Sequence, residues 1–279
     1  MTTGVLTRLA TLDVPPAVGR VADYVRDHAR ECLLMTSDEI ANRAQVSPSV
    51  VIKFVKELGF RGMQDFRVTL AAELGGPAPT IYDEVAQRRA EQGIAATVLS
   101  EAAQGLLDAA DGLPDDLLER VAALLTKARR IGLYGAGSSA FVAQDAAHKL
   151  IRLDLPAWAI TDPHIQTVFA SQLGAQDVVV AISYSGKTSD IVEGAEVARS
   201  VGAQVVAVTS WPASPLARVA HHVLPIPAVE APDTLGTFRS RLLQLAVLDA
   251  VTVAITLAEP ARLSAMQSRV RLLQPRRRS

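Results

Sequence analysis

From residue 131 onward the chain switches repeatedly between two hydrophobic periods, and that alternation constrains its fold more than any other feature. Short apolar, mostly β-branched runs fall at Ile131-Gly132-Leu133-Tyr134, Ala157 to Ile160, Asp177 to Ile182, Gln204 to Thr209 and His222 to Ile226. Helical patterns such as Ser138 to Leu153 and Ser189 to Val201 lie between them. Parallel strands need a crossover, and a helix supplies one. The pattern therefore predicts a mostly parallel, doubly wound sheet covered by helices, a three-layer α/β domain. At 49% hydrophobic residues over 279 positions the chain can bury a sizeable core, which excludes a wholly disordered protein.

Ahead of this region the period is helical throughout. Val18, Val21, Ala22 and Val25 make one apolar face at i, i+3, i+4, i+7. Thr36-Ser37-Asp38-Glu39 is a cap signal that opens a short helix through Ala44, and a turn at Gln45-Val46-Ser47 leads to Pro48 and a second helix stopped by Gly59. A further helix runs from Met63 to Leu74, followed by the linker Gly75-Gly76-Pro77-Ala78-Pro79. Beyond it, Ile81 to Ala110 reads as one long helical stretch and Asp115 to Lys127 as another.

The helix from Pro48 divides into two faces. Val51, Phe54, Val55 and Leu58 form the stripe to be buried, and Ser49, Ile52, Lys53 and Lys56 form the opposite one. A recognition helix needs that division, one face anchored and the other carrying small, hydroxylated and basic side chains into the major groove. Ser47 and Ser49 at its start can donate to phosphates, Ser37 starts the preceding helix, and Lys53, Lys56, Arg61 and Arg67 add local positive charge. An ordinary amphipathic surface helix shows the same pattern, so spacing leaves both readings open.

The run from Met35 to Ala41, and that from Val46 through Ser47-Pro48-Ser49-Val50-Val51-Ile52-Lys53 to Leu58-Gly59-Phe60-Arg61-Gly62 and Arg67, resembles the N-terminal helix-turn-helix of RpiR-type bacterial transcriptional regulators. The resemblance implies DNA contacts from Ser37, Ser47, Pro48, Ser49, Ile52, Lys53, Lys56 and Arg61. Lys53 stands where that family usually has Arg, and Val50 where it often has Thr.

Charge bears on this reading. With 28 Lys+Arg against 29 Asp+Glu the formal charge is −1, so no global field draws the chain to nucleic acid or membrane, and DNA binding has to come from a local patch. Residues 262–279 are basic with no Asp or Glu, a solvated tail or an auxiliary phosphate-contacting arm. Cys32 is the one cysteine, which excludes an internal disulfide and a Cys-rich zinc site. With no signal peptide apparent at Met1 to Leu12, a cytoplasmic location is expected. The apolar stretch Leu242 to Ala258 carries Gln244 and Asp249 and reads as a helix buried on several sides, with no membrane span expected.

Two hydroxyl-rich loops follow strands. Gly135-Ala136-Gly137-Ser138-Ser139-Ala140 precedes a helix, where free N–H groups favour an anion. By itself it also fits a dinucleotide fingerprint, with Asp154 and Asp162 as candidate ribose acids, although neither ends a clean second strand. The second loop, Ser183-Tyr184-Ser185-Gly186-Lys187-Thr188, is unexplained by one dinucleotide site, and position 181 is Ala where a nucleotide P-loop has its first glycine. Hydroxyls and backbone N–H groups around a compact phosphate fit both loops. Helix capping uses the same residues and remains an alternative.

Both loops resemble the SIS (sugar isomerase) domain over roughly Leu117 to Ala258, with its Ser-x-Ser-Gly-x-Thr element at Ser183, Ser185, Gly186 and Thr188. The resemblance implies that Ser138, Ser139, Ser183, Ser185 and Thr188, with Gly135, Gly137, Gly186 and Lys149, surround the phosphate of a sugar phosphate. An isomerase needs a base, and His148, His164, His221, His222 and Glu230 fall in no catalytic motif. The expected organisation is an all-α helix-turn-helix DNA-binding domain at 1–76, a linker and connecting helix at 77–116, a SIS sugar-phosphate-binding domain at 117–261 and a basic tail at 262–279. The expected function is a transcriptional regulator, not an enzyme, with operator DNA, a phosphosugar effector and a second copy (homodimer or homotetramer) as partners and no cofactor or metal. A sugar-phosphate isomerase, or a dinucleotide-dependent enzyme, is the rival.

Overall fold

The computed structural model describes residues 5–9, 14–60, 62–75, 81–88, 93–229 and 238–273. Arg61, Glu230, linker positions 76–79 and the arginines at 276–278 lie outside them. The described chain forms two compact units, one from Met1–Gly112 and Pro227–Ser240, the other from Leu113–Ile226 and Arg241–Ser279.

The first unit contains α1 (Val5–Leu9), α2 (Pro16–Asp27), α3 (Ala29–Cys32), α4 (Ser37–Arg43), α5 (Pro48–Glu57) and α6 (Met63–Glu73). Thr36 and Glu39 start α4 as a reciprocal cap: the Glu39 N–H donates to Thr36 Oγ1 at 3.1 Å and the Thr36 N–H to Glu39 Oε2 at 2.6 Å. Gln45 turns the chain between α4 and α5 at φ 53, a conformation that costs a residue with a Cβ. The core gathers Val18, Val21 and Val25 of α2 with Ile40, Phe54, Val55 and Phe66. Phe66 receives Phe54 and Phe60 edge-on at 5.9 and 5.8 Å. Two further helices, α7 (Ile81–Arg88) and α8 (Ile94–Gly112), replace the single long helix expected, with Gly93 at φ 76 immediately before α8.

The second unit runs α9 (Asp115–Lys127), β1 (Arg130–Gly135), α10 (Ser138–Arg152), β2 (Ala157–Ile160), α11 (Pro163–Ser171), β3 (Asp177–Ile182), α12 (Ser189–Ser200), β4 (Gln204–Thr209), α13 (Pro215–Val219) and β5 (His222–Pro225). The strands are all parallel in the order β2-β1-β3-β4-β5. Tyr134 lies level with Ile160 and Ala181, so the carboxyl ends of the three strands β2, β1 and β3 share one edge. Every residue of β3 is buried, which is why it reads as a continuous apolar run; each buried valine contributes about 1.5–3 kcal/mol. From β1 the chain winds to β2 on one side and then to β3 on the other, so the strand order reverses between β1 and β3. Open α/β sheets bind ligands outside the carboxyl ends at such a point.

The amino edge is closed by an ionic cluster. Asp177, fully buried, accepts from Arg129 Nη2 at 2.6 Å, Arg130 Nη2 at 2.8 Å and the Gly174 N–H at 2.8 Å. The last helices are α14 (Phe238–Ala258) and α15 (Pro260–Leu273). Leu243, Val247, Val251 and Ile255 of α14 are buried as expected, but Leu242, Val253 and Leu257 are exposed, so the helix is covered on fewer sides than its composition predicts. Among the described residues its stretch Arg239–Ala258 alone is long and apolar enough to cross a membrane, and it is only partly buried. Its polar Gln244 and Asp249 are engaged by Ser139 and Lys149 of α10.

Candidate functional site

At the reversal point two loops stand side by side on β1 and β3. Gly135 is forced by close approach, since a Cβ there would meet the Ser139 carbonyl oxygen at 2.4 Å, and Gly137 turns into α10 at φ 54. Gly186 sits at φ 62, where a Cβ would meet Ser214 Oγ at 2.2 Å and Thr209 Oγ1 at 2.9 Å. These close approaches and left-handed turns suit glycine and would strain a residue with a Cβ.

The hydroxyls of the second loop converge. Ser183 Oγ accepts the Gly186 N–H at 3.1 Å and pairs with Thr188 Oγ1 at 3.1 Å. Ser185 Oγ accepts the Lys187 N–H at 3.2 Å. From the neighbouring strand end, Thr209 Oγ1 donates to the Tyr184 carbonyl at 3.1 Å and the Leu216 N–H to the Gly186 carbonyl at 3.0 Å, which brace the loop. In the first loop Ser138 opens α10 half-buried, whereas Ser139 is buried and donates to Gln244 Oε1 at 3.2 Å. The bracing by Thr209 and the role of Gln244 were missed from sequence, because their partners lie on other elements.

Helix capping distinguishes these loops from their neighbours. The starts of α11 and α13 are closed by their own side chains, Asp162 Oδ1 accepting from the Ile165 N–H at 2.9 Å and Ser214 Oγ from the Ala217 N–H at 3.3 Å. The starts of α10 and α12, at Gly137 and Thr188, have no side-chain cap. Two helix N-termini without a side-chain cap thus face the reversal point, where their dipoles favour an anion, although in α10 the Ser139 and Ala140 N–H groups donate to the Ala136 and Gly137 carbonyls.

Lys149 is not brought to these loops. It lies eleven residues along α10 from Ser138, about 16 Å at 1.5 Å per residue, and pairs with Asp145 at 2.6 Å and with Asp249. Asp162 is the cap of α11, and Asp154 occupies a left-handed turn at φ 64 after α10. Among the candidate bases, His221 accepts the Val205 N–H at 3.0 Å just ahead of β5, which His222 begins at the opposite edge of the sheet, while His164 at the start of α11 shares the carboxyl edge. Among the described residues no group of three or more His, Cys, Asp or Glu is placed to hold a metal ion.

In the first unit α5 presents Ser47, Pro48, Ser49, Lys53 and Lys56 outward, with Ile52 half-buried and Ser37 half-buried at the start of α4. The Ser47 and Ser49 hydroxyls meet at 2.8 Å. Lys53 lies 3.7 Å from Glu57, and Lys56 donates to Asp111 of α8 at 2.8 Å, which raises its pKa. Arg67 does not belong to the surface patch expected of it: it is buried and its guanidinium donates to the Met35 carbonyl, joining α6 to the chain ahead of α4.

Two known domains match the chain, the helix-turn-helix domain of the rpiR family over residues 13–76 and the SIS domain over 124–254. The HTH-type transcriptional regulator HexR of Pseudomonas aeruginosa is 33% identical over 238 residues, 85% of this chain and 83% of HexR. This chain belongs to the RpiR family. Relatives within longer proteins include the bifunctional protein glk of Paraburkholderia xenovorans, 37% identical over 248 residues, of whose length the RpiR chain spans 39%. Among solved structures the Vibrio vulnificus NanR protein, complexed with ManNAc-6P, matches with a TM-score of 0.64 and 26% identity, covering 97% of this chain and 98% of that one. The RpiR fold of a helical N-terminal region followed by a SIS-type five-stranded parallel sheet extends over both.

Proposed function

We propose that this RpiR-family chain is a DNA-binding transcriptional regulator, located in the cytoplasm, whose activity is set by a sugar phosphate bound between the β1–α10 and β3–α12 loops. The observation that carries this reading is the pair of uncapped helix N-termini at the sheet's reversal point, with Ser138, Ser183, Ser185 and Thr188 beside them, in one chain with a helix-turn-helix. Neutral hydroxyls and N–H groups suit a phosphate dianion because they donate without a fixed geometry of charge. Gly135, Gly137 and Gly186 shape the backbone, Ser139 supports from behind through Gln244, and Lys149 serves structure through its two aspartates. The DNA-binding domain is assigned to 1–76, the connection to 77–116, the sensor to 117–261 and a basic tail to 262–279.

On this reading α5 enters the major groove, with Lys53 and Ser49 toward bases and Ser47, Lys56 and Ser37 toward phosphates. A second copy is the expected partner, through the exposed apolar side of α14, because Leu242, Val253 and Leu257 leave it unpartnered. The binding is read as sensing without turnover. A thermal-shift series with phosphosugars, ManNAc-6P among them, tests the sensor: a ligand at a hundred times its Kd adds about 2.7 kcal/mol to the native state. Retention of a specific duplex at physiological salt tests the regulator, and conversion of any stabilising sugar phosphate to its isomer would instead establish an enzyme.

A further inference from the structure

Helix α8 is packed inside out. Its inward side carries Thr97, Glu101, Gly105 and Asp108, all buried, while Leu99 is 68% and Leu107 63% exposed. Its three charged residues are all directed at the body of its own unit. Glu101 pairs with Arg239 at 3.4 Å, and Asp111 with Lys56 at 2.8 Å. Asp108 lies so close over Gly62 that a Cβ there would meet its Oδ2 at 2.2 Å.

The opposite side holds no charge. Ala95, Leu99, Ala102 and Leu106 follow one another at intervals of four, three and four, the spacing of a seam between paired helices. That spacing is the same in either direction, and the order small-large-small-large is inverted on reversal. An antiparallel copy therefore sets every leucine over an alanine, which lets the two axes approach closely and gives the self-complementary contact a two-fold axis requires.

We propose that this stripe is a docking surface for the α8 helix of a second copy of the chain, antiparallel, with Leu99 over the partner's Ala102 and Leu106 over the partner's Ala95. The occupant is a second copy because the stripe fits its own reverse and because no charge on it opposes a like surface. This contact is separate from the α14 face and does not rest on the regulatory reading. Within that reading it relates the two α5 helices by the same axis and so sets the separation of the operator half-sites.

The test is disulfide trapping in the full chain without DNA. Native Cys32 stays silent, since it is buried and its thiol is pushed up to about 12. Chains carrying Leu99→Cys co-expressed with chains carrying Ala102→Cys are expected to cross-link under mild oxidation at least tenfold faster than Leu99→Cys alone. Equal rates for the mixture and for Leu99→Cys alone would indicate another register and overturn the pairing, as would no cross-link in either. Leu106→Glu added to both chains, with retained helix content checked by circular dichroism, is expected to reduce the mixed cross-link at least tenfold. An undiminished yield also overturns the proposal. Loss of operator binding with the cross-link intact would fault the regulatory reading and leave the pairing standing.

Discussion

The hydroxyls of Ser183 and Thr188 meet at 3.1 Å across a turn whose backbone is held open by Gly186 at φ 62. This contact ties the end of β3 to the start of α12, and it leaves the first-turn N–H groups of α12 without a side-chain acceptor. On the proposed reading a ligand phosphate takes that place at small reorganisation cost, because the strand end and the β4–α13 loop already hold the turn.

Ser185→Glu is expected to abolish stabilisation by any responding phosphosugar while leaving DNA retention intact. Ser185 is half-buried in the turn, where a carboxylate would repel a phosphate and compete for its donors. Thermal shift with and without ligand checks this, and an unchanged shift would remove the second loop from the site.

Lys53→Ala and Lys56→Ala are expected to differ in kind. Lys53, mid-helix and outward, should lose about 1–3 kcal/mol of discrimination between operator and scrambled duplex, the worth of a base contact. Lys56 is expected to weaken both duplexes evenly and to reduce the salt slope by about one. Binding of both variants at two salt concentrations separates the roles, and an unchanged affinity ratio in Lys53→Ala would exclude it from base readout.

Asp177→Asn is expected to cost about 1–3 kcal/mol, since it weakens charged hydrogen bonds from Arg129 and Arg130 at a buried site. Hydrogen bonds from Arg129, outweighing burial, and then from Arg130 and the Gly174 N–H hold the Asp177 carboxyl well below the usual carboxylate range. A depressed folded pKa contributes stability above the unfolded value near 4 and loses it as pH falls through the folded value. The variant should therefore show a flatter loss of stability below about pH 4, measured by urea unfolding across that window; an unchanged acid limb would contradict the assignment.

Gln45→Gly is expected to stabilise the first unit by about 0.5–1 kcal/mol. The left-handed backbone costs a residue with a Cβ roughly 1–2 kcal/mol, and the greater chain entropy of glycine returns about 0.5–1 of it. The urea midpoint should rise with no change in slope, and a lower midpoint would show that the Gln45 side chain is held by contacts worth more than the strain.

What the sequence determined by itself is what depends on neighbours three or four residues away. The Thr36–Glu39 cap, the buried stripe of α5, the five strands and the two hydroxyl loops all follow from local periodicity and capping, and all are where those patterns place them. The tertiary structure decided the pairing of charges across the chain. Arg67, basic and one helix beyond α5, is claimed by Met35, 32 residues away, and Lys149 by Asp249, 100 residues away. It likewise decided that Ser139 is buried and Ser138 only half-buried, since the two are alike in sequence and Ser139 donates to Gln244 of a distant helix. Spacing along a helix tells which residues share a face, but which face is buried depends on partners from distant segments. For α8 the polar side faces inward, because Arg239, Lys56 and Gly62 lie there to receive it.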